Sequence, residues 1–281
     1  KTKEAETRFG QDHAAEARLR ELVGRPDWAV VVCTEVVTHS PDTRSFRFRP
    51  LQGTLAPARA GQHIVLQARI DDRWVQRPYT LTSAAGQTDH YEVTVKREPQ
   101  GVCSNFVCDL KKGDKVQVTG PFGATFLMPN DPAANIILIC TGTGSAPFRA
   151  FTERRRRAMQ NASGRAIMFF GARTPQELPY FGPLQKVPNS LLEKHLVFSR
   201  IPGADKEYVQ DRMRTEGKSV AALLGSPATH IFICGLKGME TGVDEALADI
   251  CRKHGPGPGQ LDWSKLKPQM RASGRFHVET Y

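Results

Sequence analysis

From Trp28 onward the apolar residues fall into short alternating runs: "AVVVCTEVV", "TRSFRFR", "QHIVLQARI", "RWVQRPYTLT", "HYEVTVK" and "DKVQVTG". A period of two marks strands with one buried face, and the Pro, Gly and Asp turns between them have the close spacing of an antiparallel barrel. One helical stretch interrupts the series, "CSNFVCDLKKG", with Gly113 as its predicted stop. Near "MPNDPAAN" the texture changes. Apolar strands ("NIILICTG", "RAIMFFGA", "HLVFSR", "HIFICGL") now alternate with helical segments such as "APFRAFTERRRRAMQ" and "METGVDEALADICRKHG". That alternation predicts βαβ units around a parallel sheet covered on both faces. Three parts follow: a charged N-terminal extension or linker, residues 1–27; an antiparallel β-barrel domain, residues 28–131; and an α/β domain with a doubly wound parallel sheet, residues 132–281.

Composition narrows the class. The chain has 281 residues, 40% of them hydrophobic, and a mean hydropathy of −0.41, which reads as a globular chain long enough for two domains. No apolar run approaches the ~18–20 residues of a membrane span, and no signal peptide opens the chain, so the expected location is cytoplasmic. The first residue is Lys1, which leaves room for an upstream module. Six scattered cysteines, Cys33, Cys103, Cys108, Cys140, Cys234 and Cys251, show no zinc or iron–sulfur spacing, so no metal site is expected. The net charge of +10 favours an acidic partner by steering. Without a zinc finger, an RNP-like run or interleaved aromatics, nucleic acid is not the expected one.

Three stretches carry candidate chemistry. "CTGTGSAPFR" follows a strand and opens a helix, where glycines and a helix N-terminus can approach a pyrophosphate. It departs from G-x-G-x-x-G because Pro147 stands at the third glycine. "GVCSNFVCDL" offers a second anion site, with Gly101 freeing the backbone and Ser104 and Asn105 suited to a helix start; an ordinary N-cap is the alternative. In "RPYTLTS", Arg77 and Tyr79 share one strand face and Thr80 looks the other way. A guanidinium beside a ring can hold a phosphate and a flat heterocycle, or can simply belong to a barrel strand with a surface salt bridge. The chain ends on an aromatic residue, Tyr281.

In sequence order, "RPYTLTS", "GVCSNFVCDL", "TGPFGATFLMP", "GTGSAPFR", "SRIPGADKEYVQDRM", "CGLKGME" and "VETY" resemble the plant-type ferredoxin–NADP reductase family over residues 28–281. The resemblance implies FAD in the barrel, NADP(H) in the α/β domain, and hydride transfer at their seam. It implies that Arg77 binds the FAD pyrophosphate, that Tyr79 stacks on the isoalloxazine, and that Thr80, a serine in the family, points its hydroxyl at flavin N5. Gly101, Val102, Cys103 and Ser104 would contact the FAD phosphates, with Thr94, Val95 and Lys96 alongside the cofactor. The tyrosine that stacks on the FAD adenine in plastid enzymes is missing from the short loop "KREPQGVCSN".

On the nucleotide side the resemblance implies a pyrophosphate loop at Thr141, Gly142, Thr143 and Gly144, although Cys140 and Ser145 replace a glycine and an apolar residue. Ser199 and Arg200 would bind the 2′-phosphate, with Lys206, Tyr208 and Gln210 beside it. Cys234, followed by Gly235 and Leu236, would face nicotinamide C4 with Glu279 beside it, and Tyr281 would cover the flavin face that nicotinamide must reach. The implied activity is electron transfer between NADPH and a one-electron acidic carrier, ferredoxin or flavodoxin, and "ERRRR" (residues 153–157) is a candidate docking face or a solvated helix face. The alternative is the reductase component of an oxygenase, of benzoyl-CoA oxygenase type, with its iron–sulfur module upstream. A third reading, a binding module without turnover, is disfavoured because Thr80, Cys234, Glu279 and Tyr281 are all retained.

Overall fold

The computed structural model describes residues 28–255 and 261–281; the expected extension, residues 1–27, lies outside them. The first six strands are β1 (Ala29–Ser40), β2 (Thr43–Pro50), β3 (His63–Ile70), β4 (Arg73–Thr80), β5 (Tyr91–Lys96) and β6 (Lys115–Phe122). They form one sheet in the order β4-β3-β6-β1-β2-β5, and every pair is antiparallel. A bridge between Leu81 and Val93 draws its two edges together, which makes the sheet a barrel. Helix α1 (Val102–Asp109) lies against it, burying Cys103, Val107 and Cys108 in the same core as Phe46, Phe48, Ile64 and Leu66. The helix ends four residues before the expected stop: Gly113, at φ +100°, serves the following turn and donates its N–H to Cys33 O at 2.8 Å.

The second sheet is parallel, with β7 (Asn135–Thr141), β8 (Ala166–Ala172), β9 (Glu193–Phe198), β10 (Thr229–Gly235) and β11 (Phe276–Thr280) in the order β11-β10-β7-β8-β9. The connections carry α2 (Ala146–Ala158), α3 (Phe181–Gln185), α4 (Val209–Thr215), α5 (Gly217–Leu224), α6 (Met239–His254) and α7 (Trp263–Ala272). Alternate residues of each central strand feed two cores. Ile137, Ile139, Ile167, Phe169, Ile231 and Ile233 face one helical layer, while Ile136, Leu138, Cys140, Phe170, Phe232 and Cys234 face the other. Continuous apolar strands are what a sheet covered on both faces requires.

The second of these cores also takes in Ala60, Phe126 and Met128 from the barrel's side of the chain, and Phe126 meets Phe232 edge-on at 5.2 Å. The two sheets therefore share an apolar seam. Each fully buried ring in it contributes about 1.5–3 kcal/mol. No helix among the described residues is long and apolar enough to cross a membrane.

The basic run of α2 does not form a uniform docking face. Glu153 is 7% exposed and gathers Arg149, Arg156 and Arg157 within 2.8–3.2 Å, so much of the local positive charge is neutralised. Those partners hold its carboxyl below the usual range against the opposing effect of burial. Arg155 is 4% exposed and donates to Leu191 O and Gly164 O. A helical period of 3.6 turns one arginine in four adjacent positions toward the core, where its aliphatic stem packs and its donors meet carbonyls. Arg155→Ala should therefore lower unfolding stability by about 2–3 kcal/mol, through lost packing and two abandoned acceptors. Arg156→Ala, at an exposed guanidinium whose loss leaves Glu153 paired with Arg149 and Arg157, should change it by less than about 1 kcal/mol; urea unfolding of the two variants checks the contrast.

Candidate functional site

The order β11-β10-β7-β8-β9 means that the chain leaves β7 toward one edge of the sheet and β10 toward the other. Such a reversal opens a crevice beyond the carboxyl ends of the two strands. Thr141 ends β7, a single 3-10 turn spans Gly142–Ser145, and α2 begins at Ala146. Pro147 lies in the first turn of α2, where a missing N–H costs nothing, so its departure from the three-glycine pattern leaves the loop intact. Gly144 is required by close approach: a Cβ there would sit 2.3 Å from Cys234 O. Gly235 has φ +144°, and its Cβ would meet Thr141 Oγ1 at 2.5 Å.

Beyond these strand ends lies a cleft of about 610 Å³, and it brings together Thr143, Ser199, Arg200, Lys206, Tyr208, Gln210 and Leu236. Ser199 and Arg200 follow directly on β9, held by N–H bonds to Ala172 O and Arg173 O. Tyr208 is 48% exposed at the start of α4, where Asp211 accepts a bond from its backbone N–H at 2.9 Å. Two cleft cations come from places the expected nucleotide set did not include. Arg173 follows β8, and Lys96 ends β5 of the barrel together with Asp42 and Thr43 on the same wall. Arg173 carried no motif of its own; its signal was its position just past the end of a parallel strand, one residue after β8 where Arg200 is two after β9.

Next to the cleft residues Thr141 and Leu236, the strand register sets four groups side by side. Cys234 is the neighbour of Cys140 on β7 and of Glu279 on β11. Past β11, Tyr281 donates its N–H to Gly235 O at 3.0 Å and receives one from Lys237 at 3.1 Å. Its hydroxyl lies 2.8 Å from Thr143 Oγ1, so the last residue is tied to the glycine-rich loop although it is 62% exposed as a whole. Burial, then the Glu279 charge, pushes the Cys234 thiol up to about 12, and desolvation raises the Glu279 carboxyl as well. Burial therefore keeps the Cys234 thiol neutral and shifts the Glu279 carboxyl upward from its ordinary range.

On the barrel side, Arg77 and Tyr79 pair with the core residues Leu66 and Ile64 and so lie on the barrel's inner face. Arg77 is nonetheless exposed, so the interior is open there, and among the described residues its guanidinium bonds the neighbouring Gln76 carbonyl at 2.7 Å. Tyr79 packs on the core with its hydroxyl 3.5 Å from Cys103 Sγ, and burial raises its pKa. Helix α1 starts at Val102 with Gly101 as an N-cap that makes no side-chain bond, leaving first-turn N–H groups for an outside acceptor. Ser104 Oγ is occupied by Gly101 O at 3.2 Å and Glu98 N at 3.1 Å, so it shapes the loop. An exposed guanidinium, a ring and an uncapped helix start beside an opening fit an aromatic group that carries a phosphate. Thr80 ends β4 opposite His63, and no hydrogen bond among the described residues joins it to Cys234, Glu279 or Tyr281. Thr94 and Val95 lie on β5, where Thr94 is bonded to Ser45 and Tyr180.

Comparison with known proteins finds two families along the chain. Residues 30–126 match the oxidoreductase FAD-binding domain family, and residues 138–245 match the oxidoreductase NAD-binding domain family. The chain is thus a flavin- and nicotinamide-nucleotide-binding oxidoreductase in architecture. It is 33% identical over 237 residues to the ferredoxin–NADP reductase of Spirulina sp, covering 81% of this chain and 75% of that one. It is 36% identical over 191 residues to the cyanelle ferredoxin–NADP reductase of Cyanophora paradoxa, with 65% and 51% covered. The chain belongs to the ferredoxin–NADP reductase family. It spans about half the length of several relatives it matches, the Cyanophora protein among them. Its fold is also that of the flavohem-like FAD/NAD-binding domain of nitric oxide dioxygenase from Vibrio cholerae O1 biovar El Tor, with a TM-score of 0.68 at 21% identity over 92% of this chain and 99% of that one.

All six cysteines are buried free thiols, and burial raises the pKa of every one. A buried neutral thiol is a poor nucleophile. Titration of the native protein with a thiol reagent at pH 8 should therefore show no fast-reacting cysteine, with all six reacting only after denaturation.

Proposed function

We propose that the chain is an FAD-dependent reductase that exchanges electrons between NADPH and an acidic one-electron carrier protein of ferredoxin or flavodoxin type. The observation that carries this reading is the cleft itself. It is lined at one place by Ser199, Arg200, Lys206 and Tyr208, and it reaches Thr143, whose hydroxyl lies 2.8 Å from that of Tyr281. A dinucleotide with an extra phosphate on its adenosine half suits that arrangement. Ser199 and Arg200 offer a hydroxyl and a guanidinium to the 2′-phosphate, Tyr208 an exposed ring to the adenine, and Thr143 with its glycine neighbours a backbone lining for the pyrophosphate.

FAD, when bound, supplies the chemistry that accepts a hydride and gives up electrons singly. Arg77, Gly101, Val102 and Cys103 are the groups placed to hold its phosphates, and Tyr79 to meet its ring system. Val95 and the bonded Thr94 back that site. The neutral Cys234, the crowded Glu279 carboxyl and the Tyr281 ring surround the place where the nicotinamide and the flavin ring would meet. A positioned thiol there orients a reacting carbon without needing to ionise. The net charge of +10 supports an acidic carrier by steering. An oxygenase reductase component would use the same site for a different partner protein, so a screen of carriers and oxygenase components for NADPH-dependent reduction tests both readings together.

Two variants test the site. A charge-assisted contact to the 2′-phosphate is worth roughly 1.5–3 kcal/mol, so Arg200→Ala should cut the preference for NADPH over NADH in kcat/KM by about tenfold or more. Equal use of the two nucleotides by the unaltered protein would contradict the assignment. Tyr281 lowers the apparent affinity for nicotinamide by the fraction of time it covers the site. Ring stacking of about 0.5–1.5 kcal/mol makes that a several-fold effect. Tyr281→Ser should bind NADP⁺ and NAD⁺ more tightly while turning over NADPH more slowly, because release becomes limiting; titration of the flavin spectrum with each nucleotide reads the affinities.

A further inference from the structure

Behind the cleft, four side chains from both domains close a hydrogen-bonded ring. Tyr180, immediately before α3, bonds its hydroxyl to Thr94 Oγ1, Thr94 lies 2.6 Å from Ser45 Oγ, and Ser45 lies 2.7 Å from His39 Nε2. The ring returns to its start: His39 Nδ1 accepts a long 3.5 Å bond from the Tyr180 backbone N–H, and the His39 ring meets the Tyr180 ring edge-on at 4.8 Å. Ser45, Thr94 and Tyr180 are all buried. Tyr180 also holds a left-handed backbone, φ 61° and ψ 19°, which a bulky residue keeps only where its surroundings dictate it.

Each member of the ring is a near neighbour of the cleft wall. On the β2–β5 ladder, Ser45↔Thr94 and Thr43↔Lys96 are successive pairs on one face; the first pair is in the ring and the second lines the cleft. Asp42, three residues after His39, and Pro179, next to Tyr180, line it too. The ring thus ties the barrel wall of the cleft (Asp42, Thr43, Lys96) to the nucleotide-domain wall that runs from Arg173 to Pro179. We propose that His39, Ser45, Thr94 and Tyr180 form an interdomain latch that sets the width of the nucleotide cleft, so that binding of the whole dinucleotide depends on residues that do not touch it. The inference rests on the cleft being the NADP(H) site.

The ring also sets a protonation requirement. Because the Tyr180 N–H points at Nδ1, that nitrogen must be bare, and Nε2 then donates to Ser45. A second proton on His39 would set two donors against each other. Burial favours the neutral ring, the Glu92 carboxylate opposes that, and the Arg149 guanidinium supports it; Arg149 reaches the latch from α2, lying 5.8 Å from the Tyr180 ring centroid. The latch is closed above the ordinary histidine pKa of 6.5 and opens as the pH falls through the lower value of the folded protein.

The test uses the FAD-loaded protein and two probes, NADP⁺ and adenosine 2′,5′-bisphosphate, with binding followed by calorimetry. The bisphosphate reaches only the Ser199–Tyr208 region, whereas NADP⁺ spans the cleft. Tyr180→Phe, and the milder Ser45→Ala, should weaken NADP⁺ by about three- to tenfold, the effect of one buried hydrogen bond, and leave the bisphosphate unchanged. As the pH falls through the lowered His39 value, NADP⁺ affinity of the unaltered protein should fall further than that of the His39→Gln variant. Unaltered NADP⁺ binding in both hydroxyl variants, or equal losses for the two probes, would overturn the latch while leaving the nucleotide site standing. Failure of the unaltered protein to bind either probe would overturn both.

Discussion

The site depends on one constraint, the parallel pairing of β10 with β7 on one side and β11 on the other. That register makes Cys234 the neighbour of both Cys140 and Glu279, and it carries the chain end onto the glycine-rich loop, where Tyr281 meets Thr143. The glycines serve the same pairing. Gly144 lets the loop lie directly on the Cys234 carbonyl, and Gly235 lets the chain turn beneath Thr141. A side chain at either position would push the loop away from the strand end and separate the proposed pyrophosphate site from the C-terminal ring.

Around this fixed centre the domains divide the physical work. The parallel sheet, with apolar cores on both faces, supplies a rigid platform, and the barrel supplies an open inner face at Arg77 and an uncapped helix start at Val102. The apolar seam through Phe126 and Phe232 and the polar ring through Tyr180 and Thr94 join the two. Apolar packing holds the domains together without fixing their angle closely, because it is non-directional. The directional hydrogen bonds of the ring specify the spacing.

Much of this was legible in the residues. Alternating runs announced the barrel and continuous apolar runs the parallel sheet, because strand burial on one or two faces writes itself directly into the pattern. The strand–glycine loop–helix at Thr141–Ala146, the pair after β9 and the terminal tyrosine could be placed from motifs, since each sits at an element end where the local chemistry is exposed. The rest depended on tertiary packing. "ERRRR" looked like one surface, yet helix rotation buries Arg155 and centres three arginines on Glu153. Lys96 was expected beside FAD and also lines the nucleotide cleft, because β5 faces the second domain, and no local pattern reports that. His39, Ser45 and Tyr180 carry no motif at all; they meet only when two domains close on one another.

On the proposed reading, one chain brings a nicotinamide nucleotide and a flavin together at the seam between its domains. Rapid anaerobic mixing of the FAD-loaded protein with NADPH, in the absence of any carrier protein, tests it most directly. The yellow absorbance should bleach within a single turnover, more slowly when the transferred hydrogen of NADPH is deuterium. A visible spectrum that NADPH leaves unchanged, in protein that holds FAD and binds the nucleotide, would contradict it.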